Sequence, residues 1–263
     1  MPHQFSLSHG PKGPRCGHHK GPAEGRGHFG SPLPRGTGPS PPHYRGHGGG
    51  ERCAPRRPRP RRMPLRDRRG WIFDLDGTLT QPVHDFDGLR DALGMPPGVL
   101  ILEYLQAQPA EARAKLENRL EELEADLIAE TLAQPGVEEA LGALSAKGCY
   151  LGIVTRNSRR NAQRTLAQLG LEAFFAPEAV LGRECAAPKP SPAALQRLQA
   201  LWGLPPDACV MVGDHGLDLA AGRAAGVATV HFTADCRERW PELTDHLLPH
   251  WDHLGALHDH ANG

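Results

Sequence analysis

The chain changes texture abruptly near residue 71. Trp71-Ile72-Phe73 is a short apolar run ending at Asp74, and Cys149 to Val154 is a second, followed by Thr155-Arg156-Asn157-Ser158. Ala208 to Val212 is a third, followed by Gly213-Asp214. Val227 to Phe232 is a fourth, and Ala179-Val180-Leu181 is a shorter one. Unbroken apolar runs that each end in a polar residue predict parallel strands buried on both faces. Helical periodicity fills the gaps, at about 136–147, 158–169, 191–202 and 216–225. Strand alternating with helix predicts right-handed crossovers and a sheet covered on both sides. Between Gln81 and Gln134 the alternation breaks, and only helix signal remains. Pro109 and Glu111 open its longest helix, as proline and acid do in a first turn. Leu116, Leu120, Leu123 and Leu127 make one apolar face of it. A helical block inserted just after the first strand reads as a lid over the sheet's carboxyl edge, where ligands of open α/β sheets bind.

Composition divides the chain at the same place. The formal net charge of zero conceals +12 in residues 1–70 and −12 in residues 71–263. The first 70 residues hold 13 Pro and 14 Gly with almost no aliphatic side chains, so they cannot bury enough apolar surface to offset ordering and are expected to be disordered. The run Arg56-Arg57-Pro58-Arg59-Pro60-Arg61-Arg62 has no interleaved aromatics, so any hold on nucleic acid is non-specific. The segment reads as a solvated tail, or as upstream sequence ahead of a start at Met63, and a nucleic-acid partner is not expected. Cys16, Cys53, Cys149, Cys185, Cys209 and Cys236 form no C-x-x-C, a pattern that suits reduced thiols. With no apolar run of membrane length and no signal-peptide pattern, a cytoplasmic protein without a membrane partner is expected.

Chemistry gathers where the apolar runs end. Asp74 and Asp76 follow the first, Thr155 the second and Asp214 the third, while Lys189 sits in a loop before the 191–202 helix. In a parallel sheet these ends share one edge. Carboxylates crowded there repel unless a cation sits among them, and hard oxygen ligands select Mg2+. A lysine and a hydroxyl remain for the oxygens of a phosphoryl group.

Four motifs in order carry a resemblance. They are Asp74-Leu75-Asp76-Gly77-Thr78-Leu79, Thr155 after an apolar run, Lys189, and Gly213-Asp214-His215-Gly216-Leu217-Asp218. Over residues 71–232 the chain resembles haloacid dehalogenase (HAD) superfamily phosphatases, in the helical-cap branch similar to phosphoglycolate phosphatase. The resemblance implies an α/β fold: a Rossmann-like parallel sheet of order 3-2-1-4-5 with helices on both faces. Residues 71–80 and 135–263 would form this core, and 81–134 a small all-helical cap inserted after strand 1. It implies Asp74 as nucleophile, forming an aspartyl-phosphate, and Asp76 as general acid and base. The side chains of Asp74 and Asp214, with the main-chain carbonyl of Asp76, would ligate Mg2+. Thr155, the amide after it and Lys189 would hold phosphate, and Asp218 would orient metal-bound water or Lys189. Gly77 would permit the tight turn after the strand.

Asp76 argues for phosphate esters, because dehalogenases of the superfamily expel halide and lack this acid. A small phosphorylated metabolite is therefore the expected substrate. A phosphomutase of the β-phosphoglucomutase type and a non-catalytic phosphate-binding protein are the alternatives. The cap, just over fifty residues, is short for the branch and predicts an open site with broad substrate range. Its candidate substrate contacts are Arg90, Arg113, Lys115 and Arg119, any of which suits a solvated helix face equally. Arg156, a charged residue after the motif threonine, is a candidate phosphate contact. His215 reads as a hydrogen-bonded neutral histidine beside the pocket. His246, His250, His253, His258 and His260 match no metal-ligand spacing and read as a solvated amphipathic tail.

Overall fold

A computed structural model describes residues 63–82, 85–234 and 238–255. The expectations for residues 1–62, His258 and His260 lie outside these. Six strands form one parallel sheet: β1 (Gly70–Phe73), β2 (Tyr150–Val154), β3 (Val180–Leu181), β4 (Cys209–Gly213), β5 (Ala228–Phe232) and β6 (His246–Leu248). Their order is β3-β2-β1-β4-β5-β6, with every neighbouring pair parallel. The chain runs outward from β1 to β3, then returns to β4 on the other side of β1. That reversal opens a crevice above the carboxyl ends of β1 and β4.

The apolar runs are continuous because both faces of the sheet are covered. Trp71, Ile72 and Phe73 are each 0% exposed, yet they face opposite layers. Trp71 and Phe73 pack with Leu141 and Leu144 of α4 (Val137–Ala146) and Leu166 of α5 (Arg159–Leu169). Ile72 packs with Leu195 and Leu198 of α6 (Ala193–Trp202) and Ala221 of α7 (Gly216–Ala225). Order begins earlier than the expected boundary at residue 70: Leu65 is buried, and Arg68 donates from Nη1 to the Cys209 carbonyl at 2.8 Å. The three described free thiols, Cys149, Cys185 and Cys209, are half-buried or buried.

Residues 246–254 are not a solvated tail. His246 begins the sixth strand, and Leu248, Trp251 and Leu254 are buried in the main core. The Trp251 ring lies 5.8 Å from Phe73 and 5.3 Å from Phe232, sealing one face of the sheet. That apolar anchoring outweighs the polar look of the intervening histidines.

Between β1 and α4 lie three helices, α1 (Phe86–Ala92), α2 (Ile101–Gln106) and α3 (Ala110–Leu127). They carry their own apolar cluster of Leu93, Met95, Leu102, Leu105 and Leu120, with Leu116 and Leu123 packed against it. Leu127, on the same predicted stripe, lies outside that cluster and is half-buried. Entry and exit of this block are joined by an antiparallel bridge between Thr80 and Ala133. The Gln81 N–H donates to the Leu132 carbonyl at 2.8 Å, and the Gln134 N–H to that of Leu79 at 2.9 Å. Among the described residues no helix is long and apolar enough to cross a membrane.

Candidate active site

Phe73 stands level with Ile153 on one side and Val212 on the other. Asp74 therefore leaves the sheet beside Thr155 and Asp214, which come two residues after those partners. The chain turns sharply after Asp76 at Gly77, whose φ of +84° only glycine adopts without strain. A Cβ there would also stand 2.5 Å from Asp214 Oδ2. Asp214 is fixed by the hydroxyl of Thr78, which donates to its Oδ1 at 2.8 Å, while His231 Nε2 lies 3.2 Å from its carbonyl oxygen. Thr155 Oγ1 accepts from the Asn157 N–H at 3.0 Å and reaches Asp76 Oδ2 at 3.4 Å.

Lys189 closes the group from the side of α6. Its ammonium, 2% exposed, bonds Asp74 Oδ1 and Asp218 Oδ1, both at 2.5 Å. The second oxygen of Asp218 accepts from the His215 N–H at 3.0 Å, part of a capping box that starts α7. His215 Nδ1 accepts from the Leu217 N–H at 3.1 Å, so this histidine is indeed hydrogen-bonded. The sequence pattern assigns no role to Thr78 or Asn157. Thr78 is visible inside the first motif, but its bond spans 136 residues and leaves no local signal.

One ammonium cannot balance this many carboxylates. Burial pushes Asp74 well above the ordinary carboxylate range despite the pull of Lys189, and Asp218, Asp214 and Asp76 push it further. Burial, and then Asp218, raise Asp214 to about 6. Lys189 is held above its usual value: burial pulls it down, but Asp218 and Asp74 outweigh that. Oxygens of Asp74, Asp214 and Asp218 lie within 4.8 Å of one another. Both oxygens of Asp218 are already committed, to Lys189 and His215, whereas Asp74 and Asp214 each keep one turned from Lys189 or Thr78. A hard dication fits this donor set, since it supplies the missing charge to oxygen ligands.

A cavity of about 300 Å3 opens over these groups, between the sheet edge and the three helices. Phe86 and Arg90 of α1, Leu100, Ile101 and Leu102 around the start of α2, and Leu120 and Glu124 of α3 form its far wall. Of the cap cations expected to face substrate, Arg90 alone does so. Arg113, Lys115 and Arg119 pair with Glu117, Glu111 and Glu122 on the outer face of α3. Arg156 lines the cavity, but its guanidinium does not stand open towards a phosphate. It forms a two-pronged pair with Glu103 of α2, at 2.6 and 3.1 Å, and also donates to the Lys189 carbonyl. Arg183 makes a second cross-link, to Glu124 at 2.7 Å and Glu121 at 3.1 Å. Burial pushes Glu124 up to about 7 against the pull of Arg183.

The family model for haloacid dehalogenase-like hydrolases matches residues 69–226. A haloacid dehalogenase-like hydrolase domain-containing protein of Arabidopsis thaliana is 32% identical over 61% of this chain and 69% of its own. A phosphoglycolate phosphatase of Rhodospirillum rubrum is 33% identical over 60% of this chain and 77% of its own. In fold, a hydrolase from Pseudomonas syringae superposes with a TM-score of 0.61 at 22% identity, over 73% of this chain and 99% of that one. With its ordered carboxylates on a parallel sheet and a family match across the whole site, the chain belongs to the haloacid dehalogenase-like hydrolases.

Proposed function

We propose that this phosphatase is a Mg2+-dependent phosphomonoester hydrolase acting on small phosphorylated metabolites through an aspartyl-phosphate at Asp74. The observation that carries this reading is the buried ion-paired cluster at the end of β1, where Lys189 joins Asp74 and Asp218 beside Asp214. Asp74 attacks phosphorus, and the ester P–O bond breaks as the departing oxygen takes a proton from Asp76. Asp76 then removes a proton from water, whose oxygen attacks phosphorus and frees Asp74 with release of inorganic phosphate. Thr155, the amide of Arg156 and Lys189 hold the phosphoryl oxygens. Asp218 fixes Lys189 through one oxygen and the start of α7 through the other. Mg2+, held by Asp74, Asp214 and the Asp76 carbonyl, supplies charge neutralisation between two anions that otherwise repel. The helical block acts as the cap that encloses the ester's leaving group.

The test is a phosphomonoester panel with Mg2+, which includes 2-phosphoglycolate because of the R. rubrum relative's name. Asp74→Asn serves as the blank. Hydrolysis above the blank, with phosphate released as fast as ester disappears, is expected. Equal rates for wild type and blank on every ester would overturn the proposal, and phosphate appearing on a second alcohol would make the protein a mutase.

A further inference from the structure

The far wall of the cavity is charged in sequence but neutral in structure. That wall presents Arg90 and Glu124, Arg156 lines the cavity from the sheet side, and each of the three already faces an opposite charge. Arg156 is held by Glu103, and Glu124 by Arg183. Arg90 donates from Nη2 to Asp87 at 2.6 Å. No cation on that wall, among the described residues, is left over to neutralise a carboxylate or a second phosphate on the substrate. What faces the leaving group is Phe86, Leu100, Ile101, Leu102, Leu120 and Leu217. Phe86 and Leu100 are 54% and 45% exposed, large apolar groups at the cavity mouth.

We infer that the preferred substrate is the phosphate monoester of a small apolar alcohol, a single ring or a chain of a few carbons. The phosphate sits on Lys189 and Thr155, and the carbon body lies on Phe86, Leu100 and Ile101. A cavity of about 300 Å3 is at the small end of ligand sites, which limits the alcohol's size. A carboxylate in the same place loses its water without gaining a counter-ion. This inference rests on the phosphatase reading.

The experiment compares kcat/KM for benzyl and butyl phosphate with that for 2-phosphoglycolate and glycerol 3-phosphate, in Mg2+, against the Asp74→Asn blank. All four expel alkoxides rather than a phenoxide, so ranking reports the pocket and not an easy leaving group. The apolar pair is expected to lead by roughly tenfold or more, the scale on which apolar pockets discriminate. Leu100→Lys, at an exposed position that leaves the core intact, should lower the benzyl ester's kcat/KM and raise that of 2-phosphoglycolate. Phe86→Ala should lower the benzyl ester's value by a larger factor than 2-phosphoglycolate's. If 2-phosphoglycolate or glycerol 3-phosphate matches or beats the apolar pair while exceeding the blank, the inference falls and the phosphatase reading stands. If no ester exceeds the blank, both fall.

Discussion

Replacing Gly213 by alanine adds one methyl group at the end of β4, and its neighbours set the cost. The new Cβ would stand 2.4 Å from Asp218 Cβ, 2.5 Å from its Cγ and 2.6 Å from its Oδ2. Asp218 cannot swing aside at no cost, because its oxygens are bound to Lys189 and to the His215 N–H. Overpacking a rigid site costs about 1–3 kcal/mol, and releasing a charge-assisted hydrogen bond adds about 1.5–3 kcal/mol. A loss of about 3 kcal/mol lowers the melting temperature of a domain this size by roughly 6–12 °C. Gly142, in the middle of α4, provides the internal control, since a Cβ there meets nothing within 4 Å. The same substitution at that site should stabilise by about 0.5–1 kcal/mol through helix propensity alone. Calorimetry on both variants, with urea titrations to check that the m-value holds, reads the two signs directly. A Gly213→Ala protein that melts with wild type would refute the tight seating of Asp218 against β4, and with it the picture of Lys189 as a rigid bridge.

The raised value of Asp214 sets a sign for metal-free protein. A carboxyl lifted to about 6 when folded stabilises fully only below its unfolded value near 4, and that contribution fades as pH climbs through 6. Wild type should lose up to about 3 kcal/mol between pH 4 and pH 7 relative to Asp214→Asn, measured by urea unfolding in EDTA. Added Mg2+ should restore wild type at pH 7 and leave the variant unchanged. Arg183→Ala strands the buried carboxyl of Glu124 and should cost about 3 kcal/mol. It should also speed hydrogen exchange in the C-terminal half of α3, and unchanged exchange there would deny Arg183 its role as a fastening. Asp76→Ala should reduce turnover of alkyl esters by about 10^2–10^4-fold, measured at steady state, because alkoxide departure needs its proton.

The sheet was legible where burial is two-sided. Phe73, Ile153 and Val212 sit between two helical layers, so their strands read as unbroken apolar runs. β6 lies at the edge, where Leu248 is buried while Leu247 is 53% exposed, and three residues of that kind make no run. Trp251, just after it, reaches back over Phe73, a contact between positions far apart in sequence. The catalytic candidates were legible for a different reason: strand ends concentrate polar residues at fixed positions after apolar ones. The fastenings of the helical block were not. Glu121 and Glu124 look like the solvated side of an amphipathic helix, and only the folded chain brings Arg183 to them. The partner of Arg156 was hidden in the same way, since a positive charge next to a motif threonine gives no sign of Glu103, fifty-three residues earlier.

The bridge between Thr80 and Ala133 has a consequence for how this enzyme can diversify. Because the two chain ends are zipped together at the rim of the sheet, everything between them behaves as a closed loop hung from one clasp. Lengthening or exchanging such a loop adds little closure entropy and leaves every strand register untouched. New leaving groups can therefore be accommodated by rewriting fifty residues, while the phosphoryl chemistry beneath them is inherited unchanged.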